Sequence, residues 1–166
     1  MDIKKLTRCA LFSAVALCIS SVEMLLPSFS FMPPGSKLGL SNVVTMFASY
    51  ALGLYSALAV ALLKSLFVLV TRGFTAFLMS MAGGVCSTLV CYLLLKRSKN
   101  GYIGIGIIGA AVHNCAQTAV CAVYAGNAVL WYLPFLAAAS VLTGSVSGFL
   151  LGLLIKYFPL KYFRKD

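Results

Sequence analysis

Residues 41–74 read SNVVTMFASYALGLYSALAVALLKSLFVLVTRGF. From Ser41 to Val70 the stretch is mostly apolar. As one helix those residues would run to about 45 Å, against about 30 Å of bilayer hydrocarbon. Gly53, in ALGLY, is the natural break, because glycine adopts the backbone conformations of a turn at little steric cost. Two short helices then meet in a tight hairpin. Lys64 falls near the middle of the second, and Arg72 lies at its far end. A soluble core rarely buries a lysine, and a membrane span that carries one usually turns it toward a cavity or a partner.

The rest of the chain places this hairpin in a membrane. Its 166 residues are 61% hydrophobic and 10% charged, with a mean hydropathy of +1.01. Soluble domains are about 45–50% apolar and about 25% charged. The expectation is an all-α integral membrane protein, one domain over residues 1–166, with spans at about 6–26, 38–53, 54–71, 74–95, 102–126 and 131–157. No run of alternating polar and apolar residues suggests a barrel.

The charges order these spans. Of the thirteen cations, ten lie in three clusters: Lys4, Lys5 and Arg8; Lys96, Arg97 and Lys99; and Lys156, Lys161, Arg164 and Lys165. Each cluster flanks an apolar run. Six spans put all three on one side, with both termini cytoplasmic, as the positive-inside rule requires. Five spans would split them. A net charge of +10 arranged this way speaks for membrane orientation. A nucleic-acid reader would gather its cations on one folded surface. The basic start resembles a secretory signal, but the apolar stretch ends in EMLLP without a small-x-small cleavage site, so it reads as the first span. The longest outer loop, 27–37, carries three prolines and is not helical throughout; it is either a lid or a plain connection.

Six cysteines, Cys9, Cys18, Cys86, Cys91, Cys115 and Cys121, all lie in apolar runs without a CxxC. They read as small packing residues, with no metal or disulfide expected. His113 has no companion ligands, so no metal and no cofactor is expected. In AAVHNCAQTAV, His113 and Gln117 stand one helical turn apart on one face, with Asn114 beside them. Either they bond neighbouring helices or they line a polar cavity with Lys64. Only three acids exist, Asp2, Glu23 and Asp166. Glu23, near the outer end of span one, has Lys37 and Arg72 within its expected reach. Three cations, Lys37, Lys64 and Arg72, against one carboxylate favour an anionic ligand on the outer side. GIGIIG at 104–109 mimics a dinucleotide fingerprint, but no strand precedes it. It and the Gly144–Gly148–Gly152 stripe read as close helix packing.

Several stretches resemble a known group. LTRCALFSAVAL, with Ala10 and Ala14 in an AxxxA pair, resembles the first helix of S components of energy-coupling factor (ECF) transporters. PPGSKLGLSN, ALLKSLFVLVTRGFTAFLMSMAGG and IIGAAVHNCAQTAV resemble the Gx transporter family, also labelled heptaprenyl diphosphate synthase component I. The similarity spans about residues 5 to 157. It implies a six-helix S-component-like bundle in a bacterial plasma membrane that captures a substrate outside and releases it inside. By the same resemblance, Ala10 and Ala14 would dock on a transmembrane coupling subunit driven by two cytoplasmic ATPases. The chain has no GxxxxGK[ST] of its own to bind ATP.

These observations lead to a substrate-binding subunit for a small anionic or polar molecule. Its candidate ligand residues are Lys37, Asn42, Lys64, Arg72, His113, Asn114 and Gln117. The alternative is a noncatalytic accessory subunit of isoprenoid or quinone metabolism, or of a membrane redox complex. A prenyl synthase grips magnesium with clustered carboxylates, and no two acids here are close in sequence. The chain is therefore not expected to be an enzyme.

Overall fold

The computed structural model describes residues 3–25, 40–97 and 101–159. Lys37 and the 27–37 loop lie outside them. The described chain forms α1 (Ile3–Leu25), α2 (Asn42–Ala51), α3 (Leu54–Arg72), α4 (Phe74–Arg97), α5 (Tyr102–Ala125) and α6 (Leu133–Tyr157). A short 3₁₀ turn, Asn127–Tyr132, leads into α6. All of these except α2 are long and apolar enough to cross a membrane, so this is a multi-pass membrane protein. Outward residues such as Leu62, Leu66, Val70 and Leu142 are exposed, which suits hydrocarbon and not water.

The expected break falls at Gly53, whose φ of 88° ends α2 and opens α3. Gly73 and Gly126 also have positive φ and stop α3 and α5, their amides closing the last turns on Leu69 and Ala122. The expected span at 38–53 is a shorter helix than foreseen. With ten residues, α2 is about 15 Å long, half the hydrocarbon thickness.

That short helix is the centre of the molecule. The sequence neighbours α3–α4, α4–α5 and α5–α6 pack side by side, and α1 packs on α3. Inside this arc, α2 touches α1, α3, α4 and α6, while α1 and α6 scarcely meet. Every residue from Val43 to Ser49 is buried, as expected of a helix apolar on nearly all sides. Near their starts, Cys9 Sγ approaches the Ser56 carbonyl at 3.7 Å. Farther along, Glu23 and Lys64 both bond Ser41. α1 and α3 therefore run parallel, and the segment holding α2 brings the chain back between them.

α5 and α6 pack most closely. A Cβ on Gly144 would lie 2.5 Å from Ile107 Cα, and one on Gly106 would strike the backbone of Gly144 and Gly148. The glycines let the two backbones touch, which is how membrane helices gain dispersion contacts where no hydrophobic force separates protein from lipid. GIGIIG is thus part of a packing surface.

Candidate functional site

α2 begins in mid-bundle, and the polar residues gather there. Lys64 is only 5% exposed. Its Nζ donates to Asn42 Oδ1 at 2.6 Å and to Ser41 Oγ at 3.3 Å. Ser41 in turn donates to Glu23 Oε2 at 3.1 Å, and the Leu40 amide donates to Glu23 Oε1. The carboxylate is itself buried. A cation and an anion thus share one serine hydroxyl at the N-terminal end of α2. Each is compensated, as buried charges must be. The negative group also sits where a helix start carries partial positive charge.

This network forms one wall of a cavity completed by Arg72, Ser80, His113 and Gln117. Ten residues of α3 separate Lys64 from its start, so the cavity opens about 15 Å into the helix. Arg72 is exposed at the far end of α3. His113 and Gln117 are buried on α5, facing it one turn apart. A second polar cavity lies behind, lined by Asn42, His113 and Asn114 with Ser87, Thr143 and Ser147. Asn42 and His113 belong to both. Each cavity measures about 20 Å³, room for about one water. His113 fits because residue 83 is glycine: a Cβ there would come within 2.8 Å of His113 Nδ1.

Of the residues singled out from sequence, the structure brings together Asn42, Lys64, Arg72, His113 and Gln117. Asn114 turns partly toward α6, where Nδ2 donates to Ser140 Oγ at 2.8 Å and to the Leu136 carbonyl at 3.4 Å. It touches only the second cavity. Lys37 lies outside the described residues. Ala10 and Ala14 are exposed on α1. Glu23 finds Leu40 and Ser41, neither of which was foreseen. Serines in membrane helices commonly bond their own helix backbone, as Ser65 does with Ala61 at 2.9 Å, so nothing in the sequence marked Ser41 as different. Among the described residues no group of three or more His, Cys, Asp or Glu could hold a metal, and the site offers an amine, a guanidinium, an imidazole, amides and hydroxyls around one carboxylate.

The family described as heptaprenyl diphosphate synthase component I matches residues 12–154. The chain belongs to this family. The match runs from α1 to the last turn of α6 and so takes in both polar cavities. No curated protein and no solved structure matches the chain.

Proposed function

We propose that this family member is a noncatalytic substrate-binding membrane subunit, similar in role to the S components of ECF transporters. In this reading the chain is one domain that crosses the plasma membrane six times, with both termini cytoplasmic. The α2 segment supplies the second crossing. A small anionic or polar molecule enters from the outer face past Arg72. Ala10 and Ala14, outward on α1, meet a coupling subunit that separate ATPases drive.

The observation that carries the proposal is Lys64, an ammonium held at mid-bundle beside the start of a half-length helix. Broken helices that begin within the membrane form substrate sites in many transporters, their amides directed at anionic groups. Glu23 now occupies that position. An anionic substrate would compete with the Glu23 carboxylate for Ser41 and Lys64. Entry requires movement, since the cavity holds about one water. The Gly53 break gives α2 a joint on which to shift.

A second reading rests on the family's description and on the closed network around Lys64. The chain would then be the membrane component of a two-part prenyl diphosphate synthase whose catalytic carboxylates belong to the partner. Lys64 would serve to lock α2 between α1 and α3. The test is extraction of bound small molecules from the purified protein, identified by mass spectrometry, in wild type and Lys64→Ala. A specific anion present in wild type and lost in the variant supports the substrate-binding subunit. No ligand in a well-folded wild type, together with co-purification of a synthase partner, supports the accessory subunit.

A further inference from the structure

Among the described residues the five-helix arc does not close. Between α1 and α6 lies a groove of about 330 Å³, floored by Val44 and Phe47 of α2 and walled by Leu11 and Val15 on one side and Leu154 and Phe158 on the other. It is separate from the polar cavities, on the other side of α2. Its accessible wall is apolar throughout, and Phe12 stands in it edge-on to Phe47 at 5.6 Å. In a bilayer such a seam fills with hydrocarbon.

One end of the seam is strongly basic. Arg8 lends its stem to the wall, and an arginine stem packs on hydrocarbon while its guanidinium reaches for the polar boundary. Lys4, one turn before Arg8 on the same face of α1, and Lys5 continue the basic end beyond it. The α1 lip of the groove therefore carries a cluster of cations at one end. Arginine pairs with phosphate oxygens in a bidentate fork, and basic pockets between membrane helices collect anionic headgroups.

We propose that this seam is a binding site for an anionic glycerophospholipid of the adjoining leaflet, one acyl chain lying on Val44 and Phe47 and the phosphate beside Arg8. The lipid completes the ring around α2.

The test uses the full chain in mild detergent and native mass spectrometry, with phosphatidylglycerol and phosphatidylcholine of equal chain length as probes. Wild type should retain one phosphatidylglycerol, about fivefold in preference to phosphatidylcholine, the factor one basic side chain contributes near anionic lipid. Arg8→Gln should erase the preference. Val15→Trp, at an exposed position on the rim, should fill the groove and reduce retention of both lipids without altering the core. Equal retention of the two lipids by wild type overturns the proposal, as does unchanged retention by Val15→Trp. A prenyl diphosphate that displaces phosphatidylglycerol at equal concentration overturns it in favour of that occupant.

Discussion

The Lys64 network predicts an asymmetry between its two ends. Lys64→Met keeps an unbranched stem and deletes the charge. It forfeits the hydrogen bonds from the ammonium to Asn42 and Ser41, about 1.5–3 kcal/mol each. It also removes an ammonium from mid-membrane, where such a group costs about 2.5–3.5 kcal/mol. The two terms nearly offset, leaving a net loss of roughly 0–3 kcal/mol. Asn42→Leu keeps the charge and removes its 2.6 Å acceptor, leaving a buried ammonium one acceptor short at about 3 kcal/mol or more. For a chain of this size, 1 kcal/mol moves the midpoint by about 2–4 °C. Asn42→Leu should therefore lower it by about 6–12 °C or more and Lys64→Met by about half that or less. The double variant, with no ammonium left to compensate, should be at least as stable as Asn42→Leu alone, a coupling expected only of groups in contact. Cys9 and Cys91 are buried while Cys18, Cys86 and Cys115 are exposed. The late exposure of two thiols to a maleimide dye on heating thus reports unfolding. A midpoint that falls as far for Lys64→Met as for Asn42→Leu would refute the reasoning.

The remaining predictions use the same thermal assay. Gly148→Ala would press a Cβ to 2.5 Å from Ile103 Cα, whereas Gly152→Ala meets only the Tyr102 ring at 3.3 Å; the first should cost about 3 kcal/mol or more and the second under about 1, from overpacking against backbone versus a movable side chain. Gly83→Ala should displace His113 and lose any ligand found by extraction, while its neighbour Gly84→Ala, with Ala61 Cβ at 3.7 Å, should be silent in both assays. Thr88 is buried and its hydroxyl has no hydrogen-bond partner among the described residues, so Thr88→Val should raise the midpoint by about 2–8 °C, the gain of removing an unsatisfied polar group worth about 1–2 kcal/mol.

Much of the fold was legible because lipid imposes coarse rules. Length, hydropathy and the Gly53 break were readable directly, since a span must be long and apolar and a left-handed turn wants glycine. The proximity of Lys64 to His113 and Gln117 was also within reach, because an ion at midspan needs polar company and α5 offers the densest supply. The shortness of α2 was not. Its sequence is apolar on nearly all faces, which in a membrane protein describes a lipid-facing span and a buried core helix equally well. Only the packing separates the two.

That ambiguity is also why Glu23 and Ser41 were missed. If α2 crossed in full, Ser41 would sit at the outer boundary, where hydroxyls and carboxylates are solvated and choose no partner. Because α2 starts in mid-bundle, the same serine lies between a buried carboxylate and a buried ammonium. Both charges become structural obligations, and each anchors a different helix to the same end of α2. An anion that displaced Glu23 would release the α1 anchor while keeping the α3 anchor through Asn42. The start of the central helix would then keep its polar tie to α3 and lose its polar tie to α1. Binding at this site and movement of α2 would thus be a single event, coupled through one serine hydroxyl.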